Sequence, residues 1–330
     1  MVSNNVTLVI PTYNMSTHIF GLWNSINTSN LIEYISEIIF VNDGSTDDTL
    51  QVLTSLKKND TRNIIKILNL ESNQGRFMAR YLGVLEANSS QILFLDSRIE
   101  LPNNFGYELS VAIRDYPNIV GSVDIDTTRN AFCLYWDRTH KKIFKKHYDD
   151  ANDVIVLDED NYDSYLKGTT VFFCQKENFI SSCSKYKDTP LLNDDTYLMK
   201  DMVRSQPIAI HPKVRITWVP RENLKDFLVR MWERGPSFVE YHLFSSRGIF
   251  FYIILFLLLL LFFLFAVAIS SPVLLLYIVS ISLFLLSLST AFFSKSIREF
   301  YMMVPIHVLT IIVFGVGIIY GIFINIRRKI

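Results

Sequence analysis

The C-terminal quarter of the chain contains three long apolar segments, and they constrain the fold more than any other feature. Residues 249–269 carry no charge, residues 272–293 follow after two serines, and residues 304–324 come after a short loop with Lys295 and Arg298. As a helix, about twenty apolar residues span the hydrocarbon core of a bilayer. The sequence therefore predicts a membrane domain over residues 249–330 with three transmembrane helices.

Charge is distributed unevenly between this segment and the rest of the chain. The whole chain has 32 basic and 32 acidic residues, but residues 249–330 contain five of the basic residues and one of the acidic ones. The preceding residues are therefore mildly acidic, and they lack the basic character typical of nucleic-acid-binding proteins. We expect no nucleic-acid partner.

Polar loops follow two short apolar runs near the N-terminus. Residues 6–10 lead into Pro11-Thr12-Tyr13-Asn14, and residues 35–41 lead into an Asp-, Gly- and Ser-rich segment, 42–49. Each loop precedes a helical pattern, and the alternation continues through further apolar runs at 64–70 and 92–95. This pattern predicts an α/β fold with a doubly wound, mostly parallel sheet, whose loops at the carboxyl edge bind ligands.

The helix after the second apolar run has a recognisable start. Ser45 or Thr46 is placed to cap it, and Asp47 and Asp48 would lie in its first turn, where the helix dipole favours acids. We expect this helix to run to about Lys58.

The two polar loops, in this order and at this spacing, resemble the nucleotide-sugar site of inverting glycosyltransferases of family 2, which have the GT-A fold. The resemblance continues where that family carries an Asn-x-Gly…Ala-Arg-x-x-Gly signature, here Asn73, Gly75, Arg80 and Gly83. It covers about residues 5–235 and implies a GT-A catalytic domain over residues 1–220.

The resemblance implies roles for the residues of these loops. Asp43 would accept the imino proton of a uracil or guanine ring, and Pro11 and Tyr13 would form the wall against which the base lies. The alternative for Asp43-Gly44 is a plain turn, because Asp-Gly is a common turn pair. Arg80 could pair with Asp43 or Asp96, or be a solvated helix residue.

Asp96-Ser97-Arg98 departs from the family pattern. Asp96 stands at the first acid of an Asp-x-Asp motif, but Arg98 replaces the second acid, which would bind Mg²⁺ or Mn²⁺. Three interpretations are open: Arg98 itself neutralises the diphosphate, Glu100 supplies the missing ligand beside Asp96, or catalysis has been lost. Trp218 stands where the family has a metal-binding histidine.

A second acidic motif, Asp194-Asp195, resembles the family's Glu-Asp motif below the acceptor. Inversion needs a base that takes the proton of the acceptor hydroxyl, and a partly buried carboxylate suits this task. We predict Asp195 as that base, with Asp194 positioning it or raising its pKa by like-charge proximity. The alternative is a helix start with acids in its first turn.

Residues 221–248 contain an amphipathic helical pattern that ends at Gly235-Pro236. The helix either packs on a core or lies in the membrane interface, and its place before the first apolar segment favours the interface. The segment loosely resembles the interfacial helix of membrane-bound family 2 enzymes. Its candidates for the diphosphate or acceptor side, together with Arg98, are Arg230, Trp232 and Arg234.

A run of basic residues lies at 138–147. A solvated hairpin explains such a run, and near a membrane the same residues could hold anionic lipid headgroups.

Together these features predict a membrane-anchored, inverting glycosyltransferase. Its donor would be a UDP- or GDP-sugar, and its acceptor a polyprenyl-linked sugar or a polyprenyl phosphate. Membrane lipids are expected partners, and a homo-oligomer is compatible with the sequence. The alternatives are a polysaccharide synthase or a catalytically inactive homologue that serves as a scaffold subunit.

The expected localisation is the membrane, with several spans and the catalytic domain on the cytoplasmic face, where nucleotide sugars occur. Three full spans would then place Arg327, Arg328 and Lys329 outside, against the positive-inside rule. Either the catalytic domain overrides these charges or one segment is re-entrant.

Overall fold

The computed structural model describes residues 5–150, 152–187, 194–244 and 248–329. The chain forms two compact units. The first contains Met1–Asp126 and Phe144–Pro220, and the second contains Thr127–Ile143 and Arg221–Ile330. The chain therefore leaves the first unit after residue 126 and enters it again at residue 144.

The first unit is built on one sheet. Its strands are β1 (Val6–Thr12), β2 (Ile35–Asp43), β3 (Ile65–Leu70), β4 (Gln91–Leu95), β5 (Ile99–Glu100), β6 (Ile119–Ile125), β7 (Ile155–Leu157), β8 (Val171–Gln175) and β9 (Ile208–Trp218). Its helices are α1 (Ile19–Thr28), α2 (Thr49–Asn59), α3 (Arg76–Glu86), α4 (Phe105–Asp115), α6 (Lys145–Asp149), α7 (Lys176–Cys183) and α8 (Asp194–Ser205). The first four strands and the helices between them alternate as the sequence predicts.

The strand order is β3-β2-β1-β4-β8-β6-β9-β5, with β7 also paired to β9. Strands β1 to β4 pair in parallel, β6 pairs in parallel with β9, and β8 lies antiparallel between β4 and β6. The predicted doubly wound, mostly parallel α/β sheet is thus confirmed, with β5, β7 and β8 running against the common direction.

Both faces of the sheet are buried, which explains why the strands are continuous apolar runs. Along β1, Leu8 and Ile10 belong to one core and Val9 to the core on the opposite face. Gly83 lets helix α3 lie directly on the second face, because a Cβ there would be 2.6 Å from Cγ1 of Val9 and 2.9 Å from Cγ2 of Val41. This close contact fixes the position of α3 over the carboxyl ends of β1 and β2.

The second unit is helical. It consists of α5 (Ala131–Ile143), α9 (Leu224–Phe244), α10 (Ile249–Ser270), α11 (Pro272–Phe293) and α12 (Ile297–Lys329). Three stretches, Phe250–Val267, Val273–Phe293 and Ile297–Arg327, are long and apolar enough to cross a membrane. The predicted apolar segments are confirmed as helices, and α12 begins seven residues before the predicted start of its span.

Helix α9 does not end at Gly235-Pro236, as the sequence predicts, but continues through both residues. Pro236 removes the N–H that would bond the carbonyl of Trp232 within the helix. A Cβ on Gly235 would lie 2.3 Å from the backbone of Gly317, and one on Gly317 would lie 2.8 Å from the carbonyl oxygen of Trp232. The backbones of α9 and α12 are therefore in direct contact at the proline, and this packing keeps α9 helical.

Candidate functional site

The first two polar loops meet at the carboxyl edge of the sheet. In the register of β1 and β2, Pro11 lies opposite Val41 and Thr12 opposite Asn42. Tyr13 and Asp43 therefore leave their strands side by side. The ring of Tyr13 is 42% exposed, whereas Asp43 is buried. The structure thus brings together the three residues predicted to hold the base.

Asp43 has a structural role that sequence reasoning missed. Its Oδ1 accepts a hydrogen bond from the backbone N–H of Gln74 at 2.7 Å, and its Oδ2 accepts one from Gly75 at 3.0 Å. Gly75 adopts a φ of 87° at the start of α3, a conformation that favours glycine. Asp43 therefore holds the turn that begins α3. A carboxylate oxygen has two lone pairs, so each oxygen can accept a second bond from a ligand.

Side chains also join the loops after β1 and β2. Asn14 Oδ1 accepts a bond from Thr46 N at 2.8 Å, and Asn14 N donates to Ser45 Oγ at 3.0 Å. The predicted cap of α2 is therefore wrong: Ser45 and Thr46 bind Asn14, and the helix begins at Thr49. Asp47 accepts from Thr49 N instead; burial would raise its pKa, but hydrogen bonds from Thr49 and Ser16 outweigh burial and lower it.

Arg80 joins two acidic side chains, Asp96 and Asp195, into one cluster. It lies on α3 and is 2% exposed. Its Nη1 donates to Oδ1 of Asp195 at 2.9 Å, and its Nη2 donates to Oδ1 of Asp96 at 3.2 Å. Of the partners considered for Arg80, the structure selects Asp96 and adds Asp195, which follows it by 115 positions. One guanidinium thus brings together the predicted donor-side acid and the predicted base.

Antiparallel strand β8 positions this cluster. Thr170 directly precedes β8, and its carbonyl accepts a bond from the N–H of Asp96 at 3.0 Å. Asp195 lies in the first turn of α8, so the helix-start interpretation and the interpretation as a site residue are compatible. The side chain of Asp194 lies outside the described residues, as do residues 191–193.

The pKa of Asp195 is lowered. Burial raises it, but the charges of Arg80 and Arg76 outweigh burial. The net shift is downward, and the expected effect of Asp194 on this pKa stays a prediction because its side chain lies outside the described residues. Arg76 was missed by sequence reasoning, although its spacing of four residues from Arg80 on one helix face was a signal for it.

The guanidinium of Arg98 binds backbone carbonyl groups. Its Nε donates to the carbonyl oxygen of Val219 at 3.0 Å, and its Nη2 donates to that of Pro220. Glu100 is exposed on β5, and Trp218 lies opposite Ile99 where β5 pairs with β9. Arg98 therefore fixes the segment that directly follows β9.

Among the residues that the structure describes, no metal site is built from the protein alone. Within the described ranges, no three His, Cys, Asp or Glu side chains are grouped so that they could hold a metal ion. Asp96 is paired with Arg80, and Arg98 occupies the position of the second acid. The prediction of Mg²⁺ or Mn²⁺ at Asp96 and Glu100 thus finds no matching donor set in these residues.

The three candidates on α9 belong to the second unit. Arg230 pairs with Glu233 at 3.1 Å, the ring of Trp232 stacks on Tyr320 with centroids 5.1 Å apart, and the guanidinium of Arg234 lies 4.2 Å from the ring centroid of Trp136. Their predicted role toward the diphosphate or acceptor stays a prediction.

Solved structures identify the class of the fold. A mannosyltransferase from Pyrobaculum calidifontis, solved with GDP-Man and Mn²⁺, superposes with a TM-score of 0.60 at 12% identity, over 96% of this chain and 87% of that one. The first unit therefore has a GT-A-like α/β fold.

The sequence of the N-terminal half matches a known family model. Residues 7–164, just under half of the chain, match the model of glycosyl transferase family 2. A teichoic acid poly(glycerol phosphate) polymerase of Staphylococcus epidermidis is 28% identical over 144 residues, which are 43% of this chain and 19% of that protein. An undecaprenyl-phosphate 4-deoxy-4-formamido-L-arabinose transferase of Yersinia pestis is 29% identical over 119 residues, 36% of each chain. The matches thus cover well under half of either relative.

Proposed function

We propose that this chain is an inverting glycosyltransferase that moves a sugar from a UDP- or GDP-sugar to a polyprenyl-linked acceptor in the membrane. The observation that carries the proposal is the cluster in which Arg80 joins Asp96 to Asp195 at the carboxyl edge of a GT-A-like sheet. Ligands of open α/β sheets bind at this edge.

The nucleotide would lie on the loops after β1 and β2. Tyr13 offers an exposed ring for stacking, and Asp43 offers acceptor oxygens for a base N–H. The hydrogen bonds between Asn14 and the segment Ser45-Thr46 hold the two loops together before a ligand arrives. Such preorganisation lowers the entropy that binding costs.

The leaving diphosphate needs positive charge. Arg76 and Arg80 lie four residues apart at the N-terminal end of α3, where the helix dipole also favours an anion. Arg98 is bonded to carbonyl groups and is less suited to this task. We therefore place the charge that stabilises the diphosphate on Arg76 and Arg80.

Asp195 would act as the general base. The acceptor oxygen forms a bond to the anomeric carbon on the face opposite the diphosphate, the bond from that carbon to the diphosphate oxygen breaks, and its electron pair leaves with the nucleotide. The acceptor proton moves to a carboxylate oxygen of Asp195. Because its pKa is lowered, Asp195 is ionised at neutral pH and ready to accept the proton.

The acceptor is proposed to be lipid-linked. Three apolar helices that could cross a membrane belong to the chain, and they would keep the enzyme at the surface where an insoluble acceptor lies. One relative is named as a transferase to undecaprenyl phosphate, which supports the same class of acceptor. The side on which the first unit lies is proposed to be cytoplasmic, because nucleotide sugars occur there.

A donor screen on membranes that contain the protein tests the proposal. Transfer from one UDP- or GDP-sugar to a polyprenyl-linked product is expected, and its absence with every donor would count against the function. With EDTA, activity should persist because Arg76 and Arg80 replace the ion. Loss of activity that Mn²⁺ restores would instead support an ion at Asp96.

A catalytically inactive scaffold is the second candidate, because Arg98 replaces an acid of the family motif. A donor-hydrolysis assay on the purified protein separates the two. Hydrolysis that disappears in Asp96→Asn supports the enzyme, whereas nucleotide binding without hydrolysis or transfer supports the scaffold.

A further inference from the structure

The turn between α11 and α12 has a fixed geometry. Ser296 Oγ accepts a bond from the N–H of Glu299 at 3.2 Å, and Glu299 Oε2 accepts one from the N–H of Lys295 at 2.8 Å. These bonds resemble a capping box at the start of α12, except that Glu299 accepts from the residue before the N-cap Ser296. The backbone that carries Lys295 and Arg298 is therefore held in one conformation.

Helix α5 is attached to this turn. The guanidinium of Arg138 binds Glu299 through two bonds, Nε to Oε2 at 3.0 Å and Nη2 to Oε1 at 2.6 Å. Farther along α5, the ammonium of Lys142 lies 4.7 Å from the ring centroid of Phe292 on α11. The C-terminal end of α5 thus lies where α11 ends and α12 begins.

The charges of this region are unequal. Its acids are Asp137 and Glu299: Asp137 binds Lys141 at 2.6 Å and Arg138 at 2.5 Å, and Glu299 binds Arg138. Three further cations surround the turn and are exposed to solvent, and we call them the cationic rim: Lys142, Lys295 and Arg298. Both acids are already neutralised by their partners, so the rim presents net positive charge.

Apolar side chains lie directly beside the cationic rim. Phe292 on α11 is 62% exposed, and Ile297 and Tyr301 on α12 are 78% and 72% exposed. They continue the apolar surface of α11, whose side chains are exposed along most of the helix. Cations beside an exposed apolar surface with aromatic rings are typical of the level at which lipid headgroups lie.

We propose that the cationic rim binds anionic headgroups of the bilayer that surrounds α10 and α11. Ammonium and guanidinium groups form charge-assisted hydrogen bonds with phosphate oxygens, and Arg298 can do so through two N–H groups. The fixed turn presents Lys295 and Arg298 together, while Phe292 holds Lys142 at the same level. A headgroup with a net negative charge is therefore preferred over a zwitterionic one.

The test uses the purified full-length chain in a neutral detergent. Its thermal unfolding midpoint is followed during titration with phosphatidylglycerol, with phosphatidylcholine, or with glycerol phosphate, which is the headgroup without acyl chains. Phosphatidylglycerol should raise the midpoint, and the other two should have little effect. The rise should diminish as NaCl is added, because salt screens exposed charges.

The variant Lys142→Gln/Lys295→Gln/Arg298→Gln should bind phosphatidylglycerol roughly tenfold or more weakly, since each basic residue near an anionic surface contributes about fivefold. The matched control, Lys57→Gln/Lys58→Gln/Lys213→Gln, removes three exposed lysines of the first unit and should bind as the original chain does.

Unchanged binding by the rim variant would overturn the proposal. So would an equal effect of glycerol phosphate, which would identify a soluble phosphate as the ligand, or of phosphatidylcholine. If the rim variant does not fold, the unmodified chain still decides, because a phosphatidylglycerol effect that is insensitive to NaCl would contradict a charged site.

Discussion

The two units use buried charge in different ways. In the first unit, Arg80 holds two carboxylates at the open edge of the sheet, where a ligand can reach them. In the second unit, Arg138 and Glu299 bind each other through two hydrogen bonds, and the pair fastens α5 to α12. An arginine therefore joins two acids in each unit, at the edge of the sheet in the first and between packed helices in the second.

A similar contrast exists among the apolar helices. The side chains of α10 and α11 are mostly exposed, whereas α12 buries one stripe that includes Met303, His307 and Asn325. His307 accepts or donates a bond with Tyr135 on α5 at 3.0 Å and another with Ser289 on α11 at 2.9 Å. The three apolar helices thus have different surroundings, and α12 is the most buried of them.

The largest effect is expected at the proposed base. Asp195→Asn should lower the transfer rate to a lipid-linked sugar by about 10²–10⁴, because a sugar hydroxyl is protonated at neutral pH. Binding of UDP or GDP should be unchanged, measured by calorimetry. Asp201→Asn, on the same helix, is the control and should retain activity.

Two other outcomes are informative for Asp195→Asn. Near-normal turnover would indicate an acceptor that is already ionised, such as a polyprenyl phosphate. Loss of nucleotide binding as well would show that the residue is structural.

Removal of Arg80 should have the next largest effect. Arg80→Gln leaves two partly buried carboxylates without their shared cation and should lower the free energy of unfolding by roughly 3 kcal/mol. In the original chain the pKa of Asp195 lies below its ordinary 3.8, so this contribution is present above that pH and is lost as the pH falls through the lowered pKa. Burial without Arg80 raises the pKa, so the acid limb of the rate profile should move to higher pH.

Activity measured from about pH 3 to pH 8 checks the shift, because the acid limb of the original chain lies below pH 4. Arg80→Lys keeps the charge but cannot donate to both acids in the same geometry. The acid limb of its rate profile should therefore lie between those of the original chain and of Arg80→Gln. An acid limb at the same pH in all three proteins would show that Arg80 does not control Asp195.

Asp43→Ala should weaken nucleotide binding by about 1.5–3 kcal/mol, the value of a hydrogen bond to a charged group. Calorimetry with UDP and with GDP measures it. Asp60→Ala is the control, because Asp60 also accepts bonds from backbone N–H groups, those of Arg62, Ile64 and Ile65 at 3.1, 2.7 and 3.0 Å. Equal affinity in both variants would remove Asp43 from the nucleotide pocket.

A smaller effect is expected where α9 and α12 touch. Gly317→Ala places a methyl group 2.8 Å from the carbonyl oxygen of Trp232 and should lower stability by about 1–3 kcal/mol. Gly315→Ala, two positions away, meets nothing within 4 Å and is the control. Unfolding in detergent measures both variants, and equal midpoints would contradict the close contact of the two helices.

The last prediction concerns sidedness rather than energy. Helix α5 adds Arg138, Lys141 and Lys142 to the positive end of the α11–α12 turn, which strengthens its expected cytoplasmic location. A cysteine appended after residue 330 should then react with an impermeant reagent from the opposite side to Lys295→Cys. Reaction of both from one side would indicate that α12 does not cross the membrane.

The local features of the fold were determined by the sequence. The periodicity of apolar residues and the residue preferences of turns act over a few positions. The alternation of strands and helices, the loops after β1 and β2, and the three apolar helices could therefore be predicted. The residues proposed for the site, Tyr13, Asp43, Asp96 and Asp195, were chosen from motif positions, and their roles stay predictions. Their charges and partners did not follow from those positions.

Only the tertiary structure decided which groups meet. Antiparallel β8 between β4 and β6 brings α8 to the site, and Arg80 therefore binds Asp195 across 115 positions. Arg98 instead donates hydrogen bonds to the carbonyl groups that follow β9. Pro236 stays inside a helix because α12 packs on it. Such contacts depend on strand order and on packing between distant segments, and no local pattern contains that information.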